Sequence, residues 1–117
     1  MFTLRGEQMD AFRDSMMRRF EKRAAEQLRS HFAAKLAETN DQELEELVRS
    51  GVVKARVYGV VGETDVSRYL EYMVEYGRDF DTSPDTAWAQ PILTAPTITG
   101  TEKMKRLGDF TTFELRP

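Results

Sequence analysis

The chain has 117 residues, with 17 Lys plus Arg against 20 Asp plus Glu, no Cys and a single His. That length fits one domain, residues 1–117, with room for a core that needs no staple. The absent thiols exclude disulfide scaffolds, a cysteine nucleophile and zinc fingers, the single His excludes a histidine-rich metal site, and a net charge of -3 weighs against nucleic acid as a partner.

Apolar residues recur at helical spacing from the start. Leu4, Met9, Phe12, Met16, Phe20, Ala24, Leu28 and Phe32 fall three to five residues apart and form one stripe. No Pro or Gly interrupts residues 7–30, so a long helix is expected, with Thr3 as N-cap. Residues 33–36 either continue it or turn after a bend near His31. Asn40 or Asp41 then caps a second helix. Its stripe of Leu44, Leu47, Val48, Gly51, Val52 and Ala55 keeps phase across Gly51, so the helix is read as unbroken. A glycine inside a helix costs about 1 kcal/mol relative to Ala, which close approach of a neighbouring helix would offset.

Gly59 is the expected stop of this second helix, and Gly62 opens a third, with Asp65 in its first turn. Val66, Tyr69, Leu70, Met73 and Val74 supply its buried face, and Gly77 ends it. Tyr58-Gly59 and Tyr76-Gly77 suggest two similar left-handed caps. Ser83-Pro84 reads as the cap and first residue of a short helix near Trp88, which Pro91 kinks or ends. Thr99 and Glu102 match a capping box ahead of a last helix carrying Met104, Leu107 and Phe110 or Thr111. Residues 112–115 alternate like a strand but are too few to carry a sheet. The expected fold is all-α: a single compact bundle of about five helices, with a long N-terminal helix and a short Pro-kinked helix near Trp88.

Few constellations suggest chemistry. Asp79, Asp81, Ser83 and Asp85 alternate like the start of a calcium loop, but Pro84 stands where that loop needs Gly and Gln90 where it needs Glu. Ser83 as a helix cap explains the segment more simply. His31 has no Ser or Cys partner at a recognisable motif, and the Glu43/Glu46 and Glu71/Glu75 pairs lack the Glu-x-x-His pattern of a di-iron bundle. The run Arg18-Arg19-Phe20-Glu21-Lys22-Arg23 reads as a solvated face. No catalytic, cofactor or metal residue is therefore assigned.

The charge is unevenly spread. Residues 1–40 carry eight basic and six acidic side chains, residues 41–117 nine and 14. That asymmetry can orient a partner. Six Met, seven Phe and four Tyr serve either an adaptable core or a binding patch. Met16 and Met17 are adjacent and cannot share one face.

The run Tyr58-Gly59-Val60-Val61-Gly62-Glu63-Thr64-Asp65-Val66-Ser67-Arg68-Tyr69, then Gly77-Arg78-Asp79-Phe80-Asp81, Trp88-Ala89 and Ile92-Leu93, carries a resemblance. So do Gln8-Met9-Asp10-Ala11-Phe12 and Thr101-Glu102-Lys103-Met104. Together they resemble small bacterial proteins encoded beside type VI secretion genes, among spike proteins (VgrG or PAAR), effectors and adaptor chaperones. The family pattern often has Pro after the His-Phe pair, where this chain has Ala33. The resemblance implies a non-enzymatic accessory of effector loading, with an effector, adaptor chaperone or spike protein as partner. Met17, Arg18, Asp79, Phe80 and Asp81 are the candidate partner contacts. An immunity protein blocking a toxin, a small metal-binding protein using Asp79, Asp81 and His31, and pairing into a homodimer stay open. No apolar run suggests a signal peptide or a membrane span, so a cytoplasmic protein without membrane or nucleic-acid partners is expected.

Overall fold

Phe20, Ala24 and Leu28 stand four residues apart, and each is buried against the second and third helices. They belong to α1, Gly6–His31. The computed structural model describes residues 6–115, with side chains from Ala11 onward. The proposed Thr3 cap and the contributions of Leu4 and Met9 to the stripe lie outside what is described. The stripe itself continues N-terminally through Met16 and Phe12, both largely exposed, so α1 carries apolar surface beyond the packed body.

The chain turns through residues 32–38 with Leu36 buried. Arg29 ties this turn down. Its guanidinium donates to the carbonyls of Leu36 (3.1 Å) and Thr39 (2.9 Å) and to Asp41 (3.1 Å). Helix α2, Asp41–Val57, follows with a full capping box: Asn40 accepts from the Glu43 amide, and the Glu43 carboxylate accepts from the Asn40 amide. It runs unbroken across Gly51, which is buried. A Cβ at Gly51 would lie 2.7 Å from the Met73 sulfur and closer still to Leu70. The close approach of a neighbouring helix that offsets the propensity cost is thus made by α3, Glu63–Tyr76.

The two Tyr-Gly ends differ. At α2 the Gly59 amide bonds the Arg56 carbonyl and the Val60 amide bonds that of Ala55, with Gly59 at φ 78° and Val60 buried. This is a Schellman ending with its apolar contact. Gly77 has φ 116° and ψ 149°, extended backbone that only glycine adopts readily, and its amide bonds the Met73 carbonyl. Its cap is therefore not the left-handed twin of the first; the chain leaves α3 in an extended direction that carries Phe80 under the bundle.

Beyond it the expected short helix resolves into two pieces. Pro84–Thr86 is a single 3-10 turn capped by the Ser83 hydroxyl, and α4 spans Ala89–Leu93. Pro91 stands in the first turn of α4, where an amide has no intrahelical partner to lose. Ala89 and Leu93 bury the inner face of α4 against α5, Gly100–Phe113. Thr99 caps α5 through the Glu102 amide, while the Glu102 carboxylate pairs with Arg106, so only half of the capping box forms. The strand-like residues end this helix and its cap turn. The result is an all-α bundle: α1, α2 and α3 pack mutually, and α5 joins α3 to α4. Among the described residues no strand occurs, and no helix is long and apolar enough to cross a membrane.

Candidate interaction surface

The sequence placed five candidate contacts in two clusters, and the structure separates them by role. Phe80 is 0% exposed and Asp81 5%. Both are buried in the fold, against the expectation of surface contacts at these two positions. Phe80 lies against Tyr69 at 5.1 Å and Tyr72 at 5.9 Å between ring centroids. The Phe80 carbonyl accepts from the buried Thr86 hydroxyl at 2.6 Å. Asp81 accepts from the Tyr58 hydroxyl at 2.7 Å, and the Lys54 ammonium stands 3.8 Å from its other oxygen. Asp79 is exposed, but its carboxylate takes the same ammonium at 2.7 Å. Lys54 also donates to the Arg78 carbonyl at 3.0 Å.

One lysine of α2 thus collects the chain leaving α3. The hydrogen bond and charge of Lys54 hold Asp79 below its ordinary carboxylate range. Burial, then the hydrogen bond and charge of Asp81, push the Tyr58 hydroxyl up to about 12. Burial first and the Asp81 charge second raise Tyr69 as well. Among the described residues the Tyr69 hydroxyl and one Asp81 oxygen have no hydrogen-bond partner. Lys103, also buried, donates to the Tyr58 carbonyl at 2.8 Å, placing a cation on the C-terminal end of α2. These groups tie α2, the post-α3 segment and α5 together. Sequence spacing could not pair Lys54 and Tyr58 with Asp79 and Asp81, or Lys103 with Tyr58, because the pairings span 23 to 45 residues of chain.

Met17 and Arg18 face different grooves. Arg18 lines a charged cleft between α1 and α2, where Arg29 pairs with Asp41 and Arg49 with Glu21 and Glu45. Met17 lines a groove of about 390 Å³ between the exposed half of α1 and the α2–α3 corner. Its α1 wall is Phe12, Met16, Met17 and Phe20, and its far wall is Val52, Val60, Val61 and Val66. Phe12 is 59% exposed, Met16 48% and Val61 73%, an apolar surface open to water. Arg13 of α1 and Arg56 of α2 line the groove as well, and neither forms an ion pair with a described side chain. Glu63, at the same groove, is taken by Arg23 at 3.2 Å.

The methionines divide: Met73 and Met104 fill the core, whereas Met16 lies open and Met17 half-buried in the groove. The surplus of Met and aromatic residues, with Met16 and Met17 adjacent, was the sequence signal for this surface; nothing in the sequence singled out Val61.

His31 approaches Glu71 at 3.6 Å rather than the two aspartates. Among the described residues no three His, Cys, Asp or Glu side chains gather as a metal would need. Where a cation would sit between Asp79 and Asp81, the Lys54 ammonium sits instead. Searches against protein-family models, curated proteins and solved structures find no match for the chain.

Proposed function

We propose that this chain is a non-enzymatic adaptor or co-chaperone that assists loading of a type VI secretion effector by protein–protein binding. The observation that carries the reading is the open apolar groove beside α1. Phe12, Met16 and Val61 expose large side chains side by side, and surface of this kind marks binding sites. The resemblance of the 58–81 segment to small proteins encoded among spike, effector and adaptor genes supplies the kind of partner. Phe80 and Asp81, central to that resemblance, are buried and contribute by fixing the fold, while Asp79 beside them stays exposed.

The test is co-purification of the tagged chain with each product of the neighbouring secretion genes. A stable complex with an effector, an adaptor chaperone or a spike protein is expected. A chain that stays alone with every neighbour overturns the reading. Rescue of cells that express the neighbouring toxin distinguishes an immunity protein, and an adaptor gives no rescue.

A further inference from the structure

The groove beside α1 has a charge pattern that specifies its occupant. Its walls are apolar, with Phe12 and Met16 on one side and Val52 and Val61 on the other. Arg13 of α1 and Arg56 of α2 line it too, each without an ion-pair partner among the described side chains. Among the described residues the one carboxylate lining the groove, Glu63, is paired with Arg23 at 3.2 Å. A chain of net charge -3 thus presents, at its open apolar surface, two arginines on opposite walls that no described carboxylate pairs with.

We propose that this groove binds an amphipathic helix of a partner protein whose apolar stripe is bordered on both sides by carboxylates. The α1 wall from Phe12 to Phe20 extends roughly 12 Å, two helical turns, which matches apolar anchors at i, i+3 or i+4, and i+7. The apolar walls receive the anchors, and Arg13 and Arg56 receive one acidic flank each. A basic helix of the same shape meets like charges on both walls, so the arginines select against it. The proposal rests on the adaptor reading and names the partner chemistry that reading leaves open.

The probes are two labelled helical peptides of about 18 residues with the same leucine stripe, one flanked by Glu and one by Lys. Their binding to the full chain is followed by fluorescence anisotropy. The Glu-flanked peptide is expected to bind, and the Lys-flanked peptide to bind about tenfold more weakly or worse. Met16→Glu places a charge on the apolar wall at an exposed position and weakens binding about thirtyfold. Arg13→Glu with Arg56→Glu inverts the preference between the peptides. Circular dichroism confirms that each variant keeps its helices. Equal binding of both peptides, or Met16→Glu binding as wild type does, overturns the proposal. So does a wild-type dimer that Met16→Glu converts to monomer, because a second copy then fills the groove. A neighbouring gene product that co-purifies equally with wild type and Met16→Glu overturns the groove assignment while leaving the adaptor reading intact. A chain that binds the Glu-flanked peptide but none of its neighbours does the reverse.

Discussion

Asp81 shows how much one buried carboxylate constrains its surroundings. Its charge is matched by the Tyr58 hydroxyl at 2.7 Å and by Lys54 at 3.8 Å, while its second oxygen accepts no hydrogen bond. Removing a partner from a buried charge costs more than the hydrogen bond is worth, since the charge stays behind unpaired. Tyr58→Phe is therefore expected to lower the unfolding free energy by about 2 kcal/mol in urea denaturation. Asp81→Asn, which keeps an acceptor for Tyr58, costs less. An Asp81→Asn loss larger than that of Tyr58→Phe would show that the charge on Lys54 matters more than the hydroxyl. Gly51 supplies a second residue-scale case. Ala there gains helix propensity but drives a methyl group into Leu70 and Met73. Overpacking outweighs the gain, and Gly51→Ala is expected to lose about 1 to 2 kcal/mol, read from the denaturation midpoint. The sequence signalled Gly51 because its stripe kept phase; it could not say which helix came close.

At the scale of elements, the helices themselves were legible and their junctions were not. Periodicity and caps fix α1, α2, α3 and α5, because an apolar stripe and an N-cap are local properties. The end of α3 was not legible: Gly77 permits left-handed and extended backbone equally, and the burial of Phe80 decides for the extended form. The joint between α5 and α2 is equally long-range. Lys103 reaches the Tyr58 carbonyl at the end of α2, and a Cβ at Gly100 would fall 2.9 Å from the Val60 Cα and nearer still to the Gly59 backbone. Backbone cannot yield as a flexible side chain does. Gly100→Ala is thus expected to destabilise the chain, by about 1 to 3 kcal/mol. It should loosen α5 preferentially, visible as faster amide exchange in residues 100–113 than in α2. Uniform exchange throughout would show that the joint is not a local one.

Over the whole molecule, Phe80 and Asp81 are interior architecture, Asp79 is an exposed partner of Lys54, and the open apolar surface belongs to α1 and the α2–α3 corner. The resemblance suggested contacts there; the pairing of Asp81 with a tyrosine and a lysine distant in sequence was invisible. The architecture also has an alkaline limit. All four tyrosines are raised above their ordinary value of 10.0, Tyr58 to about 12, with burial the largest cause in each. Below pH of about 10 they are neutral in both states. Between about 10 and 12 the unfolded chain ionises Tyr58 while the folded chain holds its proton, so folding stability falls as pH rises through that window. The urea midpoint should drop from about pH 9 to about pH 11, and Tyr58→Phe should flatten the drop. The central claim is that this chain works by binding a partner through the groove beside α1. Calorimetric titration of the neighbouring effector or adaptor into wild type and into Met16→Glu tests it most directly. The account predicts a measurable affinity for wild type and a loss of about thirtyfold in a variant that remains folded. Equal affinities for the two chains would contradict it.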